Sequence, residues 1–83
     1  FSEARWGDVP VGAAILRYFA GLAQTVEGSI KYPSIAYNPP GTRVRAHVER
    51  RAIGVAAAIV PWNYPFIMAC ARIAPALAAG CSV

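Results

Sequence analysis

The segment Pro61-Trp62-Asn63-Tyr64-Pro65 holds the residues of this 83-residue chain best placed to do chemistry. It separates a wholly apolar run, residues 52–60, from an alanine-rich apolar stretch that starts at Pro65. In an open α/β sheet, ligands bind outside the carboxyl ends of the strands, so a turn leaving a buried strand for a buried helix is the expected position of a site. A position is not yet an activity. On spacing alone the structural readings lead: Asn63 caps the following helix through its side-chain oxygen, and Trp62 fills a gap in the core.

The other reactive side chains form no constellation. Cys70 and Cys81 lie in apolar sequence with no CxxC spacing and no histidine at ligand spacing, which reads as buried free thiols in a reducing compartment and predicts no metal site. His47 falls on the polar parity of an alternating stretch and reads as a surface residue. Arg43, Arg45, Arg50 and Arg51 cluster, but nucleic-acid binders usually concentrate more charge on one face than a net +4 provides. A solvated strand face is the expectation, with a basic nucleic-acid-binding strand as the rival.

The elements that would position the turn follow from periodicity. Val11, Ala14, Ile15, Tyr18, Phe19, Leu22, Ala23 and Val26 recur at the spacing of one helical face, predicting an amphipathic helix over 9–28. Asp8 is its expected N-cap, Pro10 fits the first turn, and Gly28 is the expected left-handed stop. Arg17, Gln24 and Glu27 decorate the other side. Gly12 and Gly21 each weaken the helix by about 1 kcal/mol relative to Ala, so it must lean on tertiary packing. Residues 29–41 hold three prolines and Asn38-Pro39-Pro40-Gly41, and read as a loop with a short strand. Beyond them, residues 43–50 alternate polar and apolar, a half-buried strand with Val44, Ala46 and Val48 inward.

Residues 52–60 carry no polar side chain, as in a parallel strand covered on both faces by crossover helices. Pro65 restarts a buried helix, kinked or interrupted at Pro75 and closed at Gly80, and Cys81-Ser82-Val83 reads as the start of another strand. The fold class expected is therefore α/β. A membrane-associated or helix-packing module is the alternative for this apolar half. However, Pro61, Asn63, Pro65, Arg72 and Pro75 break it into pieces far shorter than the roughly 20 residues of a spanning helix.

Composition sharpens the picture: 57% of the residues are hydrophobic and only 14% are charged. That balance disfavours disorder and collagen-like repeats. It also exceeds what so short a chain can bury, because a small domain hides only about 60% of its unfolded surface. A piece of a larger protein accounts for the surplus, and such a piece alone is expected to fold poorly and aggregate. The N-terminal residues are mixed and polar, unlike a secretory signal, and a cytoplasmic location is the expectation.

Residues 54–65, followed by Ala71-Arg72-Ile73-Ala74-Pro75-Ala76-Leu77-Ala78-Ala79-Gly80, closely resemble the aldehyde dehydrogenase superfamily. Its pattern there is G-V-x-x-x-I-x-P-W-N-x-P, then a helix ending K/R-x-x-P-A-L-A-x-G. Arg17-Tyr18-Phe19-Ala20-Gly21 and Glu27-Gly28 are similar to the family's preceding helix. The resemblance implies oxidation of an aldehyde to a carboxylic acid with NAD or NADP as cofactor, through a cysteine thiohemiacetal. It implies that Asn63 donates an amide N–H to the oxyanion, that Ile59, Val60, Pro61 and Trp62 line the cofactor cleft, and that Tyr64, Ile67, Met68 and Ala71 border the aldehyde tunnel. The small Ala71 leans the expected substrate toward a bulky or aromatic aldehyde.

On the same resemblance, residues 1–83 are part of a Rossmann-like NAD(P)-binding domain, and 29–51 belong to the arm through which the subunits form a homodimer or homotetramer. Neither nucleic acid nor membrane is expected as a partner. The attacking cysteine, the water-activating glutamate and the cofactor-holding lysine would lie beyond Val83. Neither Cys70 nor Cys81 stands at the nucleophile position, so these 83 residues alone are expected to be inactive.

Overall fold

Two α-helices packed across each other carry most of the burial in this chain, for which a computed structural model describes residues 1–32 and 40–83. Helix α1 spans Val9–Leu22 and helix α2 spans Pro65–Ala78. Between them in sequence, strands β1 (Ser29–Lys31) and β2 (Ala46–Val48) pair antiparallel, Ile30 opposite His47. The class is α/β, as expected. The proline-rich loop expected across 29–41 lies mostly outside the described residues, although its short strand is present as β1.

The helices meet at Gly12. A Cβ there would fall 2.5 Å from two ring atoms of Phe66 and 3.1 Å from Cys70 Sγ, so the missing side chain is what lets α2 approach. Gly12 thus costs helix propensity but provides the crossing point, which is the tertiary support the sequence called for. The contact also rotates the buried face of α1 away from the expected stripe. Gly12, Ala13, Ile15 and Phe19 turn inward, while Val11, Ala14 and Tyr18 remain exposed.

The ends of α1 correct two further expectations. Asp8 does not cap α1, because a π-helical turn, Ala4–Asp8, leads into the helix and Asp8 itself has helical φ and ψ. Gly28 is not the stop either. The helix tightens into a 3₁₀ turn at Ala23–Thr25, the Thr25 hydroxyl donates to the Leu22 carbonyl at 2.8 Å, and Val26 is already extended.

Helix α2 begins and ends where its chemistry dictates. Pro65 occupies the first helical position, where its missing N–H costs nothing. Gly80 takes φ +85° beyond the last turn, and the N–H groups of Gly80 and Cys81 return to the carbonyls of Leu77 and Ala76 at 2.9 Å each. That pairing is a Schellman closure, which satisfies two of the orphan carbonyls at the helix end. Pro75 lies within the helix without interrupting it.

On either side of α2, Val55 and Ser82 form a parallel bridge, with Ser82 N–H donating to Gly54 O at 2.9 Å and Ala56 N–H donating to Ser82 O at 2.8 Å. Parallel pairing through an intervening helix is the connectivity of a βαβ unit. Among the described residues it amounts to one bridge, and residues 52–60 are not covered on both faces within this chain: Ile53 and Ile59 are about nine-tenths exposed, at 89% and 93%. The radius of gyration, 19.7 Å, compares with about 12 Å for a compact domain of this length. Among the described residues, Cys70, Ala74 and Cys81 are the buried hydrophobic ones, both thiols free, as expected. Val44 and Ala46 are half-buried and His47 is exposed, in keeping with the alternation, although Val48 remains exposed. Among the described residues no helix is long and apolar enough to cross a membrane.

Candidate functional site

The turn entering α2 cannot cap its own helix. Tyr64 stands at the N-cap position with no side-chain hydrogen bond to the helix, and Pro65 has no N–H to offer. The first two donors are therefore Phe66 and Ile67, and both reach across the molecule to one carboxylate. Phe66 N–H donates to Asp8 Oδ2 at 3.2 Å and Ile67 N–H donates to Asp8 Oδ1 at 3.0 Å. Asp8 is an N-cap after all, of the helix 58 and 59 residues further along the chain rather than its own. Its negative charge also sits favourably at the positive end of the α2 dipole.

This arrangement removes the helix-capping role from Asn63. No hydrogen bond involves the Asn63 side chain among the described residues, and the residue is exposed. Its neighbour Tyr64 has φ 50° and ψ 53°, the left-handed conformation, and is the one non-glycine residue with positive φ among those described. A side chain there costs about 1–3 kcal/mol and persists only where the surroundings hold it, as they commonly do at functional sites. The residue before a proline normally prefers an extended backbone, which adds to the need for support.

Above the turn opens a cleft of about 400 Å³, lined by Trp62, Asn63, Tyr64 and Pro65 on one side and by Phe1, Glu3, Ala4 and Asp8 on the other. Three residues singled out from the sequence, Trp62, Asn63 and Tyr64, thus come together on one wall. Trp62 is 90% exposed and Tyr64 62%, so both rings offer their surface to the cleft or to solvent. Ile59, Val60 and Pro61 lie just before the turn and do not line this cleft, with Ile59 and Pro61 exposed and Val60 half-buried. Ile67, Met68 and Ala71 are half-buried along α2 and also lie outside it.

Sequence reasoning missed the opposite wall and the role of Asp8. One signal was available: a helix opening Tyr-Pro-Phe-Ile has neither a capping side chain nor a first N–H, so an acceptor has to come from elsewhere. Trp62 is not the core filler that spacing suggested, since it is almost fully exposed.

Comparison with known proteins follows the same residues. The model of the aldehyde dehydrogenase family matches residues 1–83. The chain is 47% identical over 76 residues to phenylacetaldehyde dehydrogenase of Pseudomonas fluorescens, which covers 92% of this chain and 15% of that protein. It is 45% identical over 75 residues to the chloroplastic betaine aldehyde dehydrogenase of Beta vulgaris, covering 90% of the chain and 14% of the relative. It is 41% identical over 80 residues to the peroxisomal aminoaldehyde dehydrogenase 1 of Pisum sativum, covering 96% and 15%. The chain therefore spans about one seventh of the length of the curated relatives it matches. No solved structure matches it.

Proposed function

Since this chain belongs to the aldehyde dehydrogenase family, we propose that the protein it forms part of oxidises an aldehyde to a carboxylic acid with NAD(P)+, and that Asn63 supplies a hydrogen bond to the oxyanion formed on the way. The observation that carries this reading is the freedom of Asn63. Its side chain is relieved of helix capping by Asp8 and lines a cleft beside a left-handed backbone. An amide N–H held in place before the reaction stabilises negative charge as it develops without having to reorganise.

The residues before the turn suit the cofactor. Ile59 and Trp62 present almost fully exposed apolar surface, and Val60 and Pro61 lie between them, a surface able to pack against a flat heteroaromatic ring. These four residues would hold the nicotinamide side, and the ring would supply the hydride acceptor for the oxidation. Trp62 and Tyr64 would exclude water from one wall and orient the aldehyde, while Ile67, Met68 and Ala71 shape the approach along α2. The small Ala71 is proposed to favour a bulky or aromatic aldehyde, while the similar proteins are named for phenylacetaldehyde, betaine aldehyde and aminoaldehydes alike.

The attacking thiolate comes from outside these 83 residues. Cys70 is 5% exposed and Cys81 8%, both packed within the fold and absent from the cleft lining. The 83 residues alone are accordingly proposed to be inactive. Residues 29–51, whose β1 and β2 form a mostly exposed antiparallel ribbon, are proposed to belong to the arm joining the subunits of a homodimer or homotetramer. A cytoplasmic location is proposed on the same footing and is checked by cell fractionation, since relatives carry chloroplastic and peroxisomal names.

The test is Asn63→Ala in the complete protein. Turnover is expected to fall by about 10²–10³, the loss seen when one oxyanion donor is removed. Affinity for NAD(P)+, measured by fluorescence titration, should change little. Unchanged turnover would sink the oxyanion role.

A further inference from the structure

We infer that Asp8 is a positioning residue for Asn63: by bridging from the start of α1 to the first two free N–H groups of α2, it holds the left-handed turn that presents Asn63 to the cleft. The inference rests on the oxyanion role proposed for Asn63 and adds what keeps that side chain in place. Four observations converge on it. The turn has no cap of its own, Tyr64 sits in a conformation that needs external support, Pro65 offers no donor, and both available N–H groups go to the two oxygens of this one carboxylate. The cleft wall facing Asn63 is built from the segment that ends in Asp8, so the same two hydrogen bonds also fix the two walls relative to each other.

The chemistry of the bridge is specific. A carboxylate accepts at both oxygens, whereas an asparagine of the same shape has one acceptor and turns an NH₂ group toward a backbone N–H. With Asp8→Asn, one of the two N–H groups loses its partner. The residue before Pro65 is then free to relax toward the extended backbone that precedes prolines, carrying Asn63 with it.

The experiment is a double-mutant cycle in the complete enzyme: Asp8→Asn, Asn63→Ala and the double variant, each with kcat, aldehyde KM, cofactor Kd and apparent Tm. Asp8→Asn alone is expected to lower kcat about tenfold, the equivalent of one charge-assisted hydrogen bond. Cofactor Kd should stay within about twofold, the usual limit for an uncoupled change. In the Asn63→Ala background the same substitution should lower kcat by less than about twofold, because no amide is left to misplace. Asp8→Glu, which keeps two acceptor oxygens, should recover part of the loss.

A loss of equal size with and without Asn63 overturns the inference, as does an unaltered kcat in Asp8→Asn. If neither Asp8→Asn nor Asp8→Glu yields folded enzyme, Asp8 serves folding at large and the positioning role is rejected. Failure of the parent reading shows separately, in the Asn63→Ala single variant with turnover intact.

Discussion

Replacing Tyr64 by glycine and by alanine in the complete protein tests the strained turn through the sign of a stability difference. Both variants delete the same ring, so the loss of its packing cancels between them. What remains is the backbone. At φ 50° and ψ 53°, a Cβ crowds the following carbonyl at a cost of about 1–2 kcal/mol, which glycine does not incur. Against this, glycine leaves a more flexible unfolded chain, worth about 0.4–1 kcal/mol in favour of alanine. The balance puts Tyr64→Gly ahead of Tyr64→Ala by about 0.8 kcal/mol. In a cooperative unit of 150–250 residues that corresponds to an apparent Tm higher by roughly 2 °C. Both variants are to be scanned at one rate, since large proteins often unfold irreversibly. At any ordinary helical or extended position the order is reversed. An alanine variant more stable than the glycine variant refutes the left-handed turn and with it the need for Asp8 to hold it.

Two further outcomes follow from the packing of α2. Gly12→Val should destabilise the protein by about 1–3 kcal/mol, the range for overpacking, because even a Cβ there would come within 2.5 Å of the Phe66 ring. Combining it with Phe66→Ala should recover part of that loss in denaturant unfolding, and strict additivity would show that the two residues are not in contact. Cys70→Ser and Cys81→Ser should each retain turnover within a few-fold in the complete enzyme, because neither thiol reaches the cleft. Loss of turnover in either variant, with its apparent Tm unchanged, would overturn the assignment of the nucleophile to residues outside this chain.

What could be read from the sequence depended on whether the determining interaction is local. Helix α2 was legible at both ends, because a proline at the first position and a glycine two residues past the last act through their own backbones. The parity of residues 43–48 was mostly legible for the same reason. Asp8 was misassigned because an aspartate followed by a helix with proline in its first turn carries the signal of a cap, and nothing local distinguishes capping that helix from capping one 58 residues away. The face of α1 was misread in part because a periodicity count ranks side chains by size, whereas the contact with α2 is centred on Gly12, which has none. For the site, the turn and its rings were legible, and the wall opposite them was not. That wall exists only once α1 and α2 have crossed.

The surplus of apolar residues and the chemistry of the turn point to the same missing surface. The accessible area, 6954 Å², compares with about 4,800 Å² for a folded monomer of this mass. The exposed excess includes Ile53, Val55, Ile59 and Trp62, all on the segment that leads to Asn63. Hydrogen-bond donors stabilise a developing oxyanion strongly only where water is excluded, yet Asn63 in this chain lies open to solvent. Whatever covers residues 53–62 must therefore do two things at once. It buries the apolar residues that the composition could not account for, and it dries the cleft in which the oxyanion contact proposed for Asn63 would form. A nucleophile delivered on that covering surface would arrive beside Asn63, whose side chain makes no hydrogen bond among the described residues.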